Sequence, residues 1–438
     1  MAAAAAAAAG LALTAGVGPA LASSKSSAPR ASVRATMRPP FSVPITKLLA
    51  PQRSPAPTVK ALGTGMSSSI GTPTLPQVVR RGATLRQVDP LRPGSFAGDA
   101  YRFAGVDAYE LNSLWSVNVG CGPQLSDDQL DAVLSSVGGN GVVRAWFFQQ
   151  FATNKYSGEI EWTALDRTVA AAAAHGVRLI ATLGNQDGTC DDGTWKNPSW
   201  YTGGYGARAT SPALSYIDWV QAATSRYAAS PAILAWEPLN EPRPDTCTNT
   251  SNCWANRVCP DTLAARSALR KFYDALGTAI RSRDPNHLIA DGGPPVQGCG
   301  TATFADLAYI ESSPGIDLAS YHKYDGAQAM APSGAASWNA LSAAVAKPFF
   351  AGENGNLNAT PVALADRSCP LQSERAVAYD AEMTTDFGQL PGLAGWLFWN
   401  AMPTARSATP SCDYATYPGD PLLTVLRTEQ ARLNTRRP

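Results

Sequence analysis

Eight short apolar runs, with amphipathic stretches between them, constrain this sequence more than any other feature. They fall at 101–107, 141–147, 177–183, 231–242, 288–291, 316–321, 348–352 and 393–399. Each is shorter than a typical helix and apolar nearly throughout, which is how a strand covered on both faces reads. Helical patterns intervene. Ser126 is a candidate N-cap for a helix beginning at Asp127, and Gly176 closes a helix over 162–175. Further helices are expected near 213–227, 261–283, 338–345, 373–390 and 422–434. Eight strands alternating with helices argue for a (β/α)8 TIM barrel rather than a doubly wound sheet. One barrel with long loops uses most of the 438 residues.

The N-terminal part reads differently. Residues 1–22 are an Ala-rich apolar run ending in Ala20-Leu21-Ala22, the small-residue pattern of a signal-peptide cleavage site, so secretion is expected. Organelle targeting is the alternative, because the Ser- and Arg-rich stretch that follows contains no acid. Residues 23–95 are expected to be a low-complexity Ala/Ser/Pro/Arg-rich linker or tail, and 96–438 the barrel domain. No Asp or Glu precedes Asp89, while ten Lys and Arg occur in the first 88 residues; against the net +1, the body therefore carries −9. A mildly acidic body argues against a nucleic-acid partner. No later segment is long and apolar enough for a membrane span, and a monomer is expected.

Eight cysteines form an even set without a Cys-x-x-Cys pair and with little His nearby. Disulfides in an oxidising compartment therefore fit better than zinc. Some of Cys247, Cys253 and Cys259 are expected to staple one loop, and Cys369 to meet Cys412.

In a barrel, residues at the ends of different strands converge on one crevice. The polar or aromatic residues at those ends are Asp107, Arg144, Asn185, Asn240, Glu241, His322, Tyr324, Glu353, Trp399 and Asn400. Two acids stand out. Glu241 ends the fourth strand in Asn240-Glu241-Pro242, and Glu353 follows the seventh between two glycines. Paired carboxylates across a cleft suit glycosidic cleavage, where one protonates the leaving oxygen and the other attacks or activates water. That chemistry calls for no cofactor and no metal. Glycine-rich nucleotide loops, the zinc-protease helix motif and the Gly-x-Ser-x-Gly elbow are all missing from the sequence.

Arg144, Asn240-Glu241-Pro242, His322-Lys323-Tyr324, Gly352-Glu353 and the run from Gly395 to Trp399 occur in the order found in glycoside hydrolase family 5, which the chain from about 101 to 399 resembles. The resemblance implies that Glu241 is the acid/base and Glu353 the nucleophile of a retaining reaction. It further implies that Asn240 holds the sugar 2-hydroxyl, that Arg144 and Tyr324 orient Glu353, that His322 lies near Glu241, and that Trp399 stacks under the sugar. Among family members the chain is most similar to endo-β-1,4-mannanases. That likeness rests on Trp236-Glu237 leading to Asn240-Glu241-Pro242-Arg243, the Cys-bearing insertion after it, the turn from Asp284 to His287, and Trp200-Tyr201 after strand three. Two departures leave the sugar open: Gly184-Asn185-Gln186 replaces the usual Asn-Asn-Trp, and Gly352 replaces a second acid beside the nucleophile. Mannan is the expected β-linked substrate, with β-glucan or exo-acting cleavage the alternatives and a non-catalytic carbohydrate-binding barrel the reading from another class.

The remaining conspicuous residues have structural readings. Glu237 lies inside its strand and is expected to be a buried partner of Arg144. Trp219, Trp236 and Trp396 read as core, His175 and His287 as helix-end and turn residues. The loop tryptophans Trp115, Trp195, Trp200, Trp254 and Trp338 are the candidate sugar platforms.

Overall fold

The computed structural model describes residues 75–88, 100–208, 214–324, 335–356, 369–405 and 412–435. The expected signal segment lies outside these residues. The body opens with strands β1 (Val78–Arg81), β2 (Thr84–Gln87) and β3 (Ala100–Tyr101), which pair antiparallel in that order. Four barrel strands follow: β4 (Phe103–Asp107), β5 (Val142–Trp146), β6 (Arg178–Thr182) and β7 (Ile233–Glu237). A small hairpin, β8 (Thr246–Cys247) and β9 (Arg257–Val258), precedes β10 (Leu288–Ile289), β11 (Ala319–Tyr324), β12 (Phe349–Gly355) and β13 (Leu393–Phe398). The helices are α1 (Asp127–Val137), α2 (Thr163–His175), α3 (Pro198–Tyr201), α4 (Tyr216–Tyr227), α5 (Thr262–Arg281), α6 (Phe304–Glu311), α7 (Ala335–Val345), α8 (Gln372–Gln389) and α9 (Pro421–Thr435).

Eight parallel strands lie in the order β10-β7-β6-β5-β4-β13-β12-β11. The two ends meet: Ala290 bridges Leu318 in parallel, and the Asp317 and Leu318 amides donate to the Ile289 carbonyl at 2.8 and 3.1 Å. The sheet is thus a closed barrel, which removes both edges. The helices form where the sequence signals them. Ser126 caps α1 in a reciprocal box with Gln129, Asp261 caps α5 through the Leu263 and Ala264 amides, and Gly176 ends α2 at φ 63°.

Several elements differ from the sequence expectation. Helix α6 is short, with a weak amphipathic pattern, and periodicity does not separate it from loop. Strand β11 starts three residues later than expected and runs through His322 to Tyr324; likewise β12 runs past Gly352 and carries Glu353 within it. Residues 78–87, inside the stretch expected to be tail, form the β1–β2 hairpin instead. Its Val78 and Leu85 pack with Tyr101, Phe103, Val142, Ile180, Leu288 and Phe350, plugging the barrel interior at its N-terminal end. The second, larger core lies between barrel and helices and takes in Trp219, Trp236 and Trp396, as expected.

The cysteines pair as 121–190, 247–253, 259–299 and 369–412. Every one of the eight lies between the end of a barrel strand and the helix that follows it. All four bonds therefore tie down the face where the C-terminal strand ends open. Cys247 and Cys253 staple the tip of the β8–β9 hairpin, whereas Cys259 reaches across to the loop after β10.

Candidate active site

The site is built around one guanidinium. Arg144, on β5, is fully buried and contacts three carboxylates. It donates to Asp107 at 2.9 Å, to Glu353 at 2.8 Å, and through Nε and Nη2 to Glu237 at 3.0 and 2.5 Å. Register explains the gathering. Asp107 pairs with Arg144 across β4–β5, Thr182 with Glu237 across β6–β7, and His322 with Glu353 across β11–β12. Burial pushes the Asp107 carboxyl well above its ordinary range despite Arg144, and the neighbouring Glu353 adds to the rise. Glu237, which also accepts from Thr182 Oγ1 at 2.9 Å, is the structural carboxylate expected from its place inside the strand.

Glu353 is 3% exposed. Arg144 holds its Oε1, and the Tyr324 hydroxyl donates to Oε2. Residues 322 and 324 lie on one face of β11, so His322 reaches the same carboxylate, its Nδ1 standing 3.5 Å from Glu353 Oε1. Burial pushes the Glu353 carboxyl up, and His322 and Arg144 pull against it; the net direction is up.

Glu241 sits just past β7, with φ 49°. His322 Nδ1 lies 2.9 Å from its Oε1. Burial raises the Glu241 carboxyl, but the hydrogen bond and charge of His322, with Arg243 and Arg144 behind it, more than offset this and leave it below the ordinary range. Burial works to lower the His322 pKa; Glu353 and the bond to Glu241 outweigh it, and the imidazole is raised. One carboxylate oxygen of Glu241, one of Glu353 and a His322 ring nitrogen all lie within 4.8 Å of one another. Such a trio could hold a cation. Its donors are already engaged with Arg144, Tyr324 and each other, which disfavours one.

Asn240 is locked on both sides, accepting from Arg144 at 2.6 Å and donating to Asn185 Oδ1 at 3.1 Å. Asn185 itself bonds Asp187 and the Thr189 carbonyl, so it supports Asn240 from the loop after β6. Trp399 is half-buried beyond β13, stacked on Tyr109 at 5.8 Å and tilted against Trp146 at 6.0 Å. Arg144 lies 4.8 Å over the Trp146 ring, which links the aromatic wall to the charged centre. Tyr109 and Trp146 were not singled out from sequence. Tyr109 stands two residues past a strand end, a position that could have marked it; Trp146 looks like any strand aromatic.

The remaining candidates are placed outside this cluster. Trp200 packs among Tyr201, Tyr205, Tyr216 and Phe272 rather than against the carboxylates. Arg243 bonds Asp245 at 2.9 Å and lies 5.5 Å over Trp254, with Arg257 at 5.6 Å from the same ring, while Trp195 meets its edge. Trp254 is thus already engaged with two guanidinium groups. Trp338 is buried in α7 against Tyr321, contrary to its expected role as a sugar platform: it is a helix residue whose bulk fills the core. Trp115 alone among the five is about half exposed.

A family model described as "Cellulase (glycosyl hydrolase family 5)" matches residues 106–401. Mannan endo-1,4-beta-mannosidase A of Podospora anserina is 27% identical over 412 residues, covering 85% of this chain and 97% of that protein. Probable mannan endo-1,4-beta-mannosidase F of Aspergillus flavus is also 27% identical, over 270 residues; the match covers 52% of this chain and only 50% of that protein. Among solved structures, the endo-1,4-beta-mannanase from Rhizomucor miehei superposes with a TM-score of 0.55 at 18% identity, covering 82% of this chain and 100% of that one. That likeness establishes the barrel. The family model spans the strands that bring Arg144, Glu241, His322 and Glu353 together, and on that match the chain belongs to glycosyl hydrolase family 5.

Proposed function

We propose that this chain is a secreted, retaining β-glycoside hydrolase that cleaves β-linked mannan by double displacement. The observation that carries the reading is the approach of Glu241 and Glu353 to within 4.8 Å, oxygen to oxygen. Retaining enzymes hold their carboxyls about 5–5.5 Å apart and inverting ones about 6.5–9.5 Å, to admit a water. The two acids also differ in setting. Glu353 is held by two donors on a strand, as a nucleophile must be; Glu241 is more open and shares its proton with His322. In the reaction Glu353 attacks the anomeric carbon while Glu241 protonates the departing oxygen. Glu241 then removes a proton from the water that releases the glycosyl ester. Asn240 binds the 2-hydroxyl, and Trp399 stacks under the sugar at the cleavage point.

Mannan is favoured because the Podospora anserina relative, matched almost end to end, is named for it. Secretion is supported by four disulfides, which persist in oxidising compartments. Among the described residues no helix is long and apolar enough to cross a membrane. The description of the family as cellulase, together with Gly352 beside Glu353, favours β-1,4-glucan as the second reading. Product sizes over time from a mannan and a glucan decide between the two, and between endo and exo action. Glu353→Ala is expected to lower turnover of the preferred polymer by about 10⁴-fold or more. Normal turnover by that variant would overturn the reading.

A further inference from the structure

The segment Asp291-Gly292-Gly293, directly after β10, takes no part in the proposed chemistry, yet it touches both Glu241 and His322. Glu241 holds a left-handed φ of 49°, a conformation that a non-glycine residue keeps only when its surroundings impose it. Its amide donates to the Gly292 carbonyl at 2.8 Å. A Cβ on Gly292 would stand 1.8 Å from the Leu239 carbonyl oxygen, and one on Gly293 would stand 2.4 Å from His322 Nε2. Only bare α-carbons let the turn lie against both the acid's loop and the imidazole.

Asp291 fixes that turn. It is fully buried, and its Oδ1 accepts from the Gly293 amide at 3.1 Å and from the Ser320 amide and hydroxyl at 2.8 and 2.6 Å. Its carbonyl accepts from the Tyr273 hydroxyl at 2.6 Å. Behind it stands Glu311 of α6, also fully buried. Burial, joined by the Asp291 charge, pushes the Glu311 carboxyl well above its ordinary range. Lys347 ties down the end of α6 through the Glu311 and Ser313 carbonyls.

The geometry points to Asp291 as a positioning residue for the general-acid step: through Gly292 and Gly293 it holds the strained Glu241 backbone and the His322 ring where Nδ1 meets Glu241 Oε1. The inference rests on Glu241 being the acid/base. A merely structural aspartate would affect all substrates alike. One that places the acid affects only those whose leaving group needs a proton.

The test compares kcat/KM of Asp291→Ala on the preferred polymer and on a 2,4-dinitrophenyl glycoside of the same sugar. A loss of about 10- to 100-fold is expected on the polymer, the scale of a slight misplacement of a catalytic group. On the activated glycoside, which needs little protonation, the change is expected to stay within about threefold. Asp291→Asn keeps the Oδ1 acceptor and is expected to restore most of the polymer activity. Should Asp291→Ala not fold, Gly293→Ala leaves Asp291 in place, strains the turn at its φ of 72° and presses on the His322 ring, with the same selective loss expected. Equal losses on both substrates, or none on either, in whichever of these two variants is folded would overturn the inference. Glu241→Ala measured alongside separates the two claims. If it too shows no leaving-group dependence, the acid/base reading itself has failed; if it does and Asp291→Ala does not, only the positioning role falls.

Discussion

At the scale of single residues, the centre is a problem in charge. Arg144 faces Asp107, Glu237 and Glu353, one cation among three buried acids, and the pattern of protonation follows. Burial pushes the Asp107 carboxyl well above the ordinary range, against the pull of Arg144 and with the push of Glu353. On the roles proposed above, two limbs of the pH profile follow. Glu353 must be ionised to attack, and it is raised, so kcat/KM is lost as pH falls through a value above the ordinary carboxylate range. Glu241 and His322 share the proton that leaves with the aglycone; that proton is lost as pH rises through the raised imidazole value. A bell is therefore expected, its alkaline limb above the ordinary His pKa of about 6.5. His322→Gln removes the shared site and is expected to move that limb down toward the Glu241 carboxyl. An alkaline limb that stays put in this variant would contradict the assignment.

These residues were legible in sequence because strand ends in a barrel converge, so Arg144, Glu241, His322, Tyr324 and Glu353 could be named from their positions alone. Asp291 also ends a strand. It escaped notice because its role runs through backbone contacts to Glu241 and His322, which no pattern of side chains announces. Trp338 misled for the opposite reason, and Trp200 and Trp254 have neighbours that the sequence does not show. A loop or surface aromatic reads as a sugar platform whether it faces a cleft or fills a gap, and all three are engaged by protein groups.

At the scale of elements, the catalytic face is stapled. The bond between Cys121 and Cys190 links the loop after β4, which carries Tyr109, to the loop after β6, which carries Asn185. Its sequence separation of 69 gives a chain-entropy contribution of about 4 kcal/mol, whereas the separation of 6 between Cys247 and Cys253 gives only about 2. Replacing both cysteines of the first pair by Ser is thus expected to lower Tm more than doing so for the second. Thermal unfolding of the two double variants checks the order, and a reversed order would contradict it. That Cys369 meets Cys412 was anticipated, as was a staple among Cys247, Cys253 and Cys259 with the pair left open. The two remaining bonds join loops far apart in sequence, and only the fold brings those together.

At the scale of the molecule, the two ends of the barrel do different work. Chemistry gathers at the C-terminal strand ends, while the β1–β2 hairpin plugs the other end. Leu85, at 2% exposure, packs into the barrel interior. Leu85→Ala is expected to cost about 2–5 kcal/mol of stability and leave kcat unchanged at temperatures where the protein stays folded. Denaturant unfolding alongside kinetics checks this; a fall in kcat without a fall in stability would contradict the division. The hairpin was hidden in sequence by the Pro- and Arg-rich stretch around it, although Gly82 between two short runs is a turn signal. The barrel itself was plain, since eight strands alternating with helices leave few other topologies.

The account stands on retention, which the separation of Glu241 and Glu353 predicts. Proton NMR of the first product released from a mannan oligosaccharide reports it directly. The β-anomer should appear first and the α-anomer only afterwards, by mutarotation; an α-anomer released first would contradict the double displacement at Glu353 and the roles built on it.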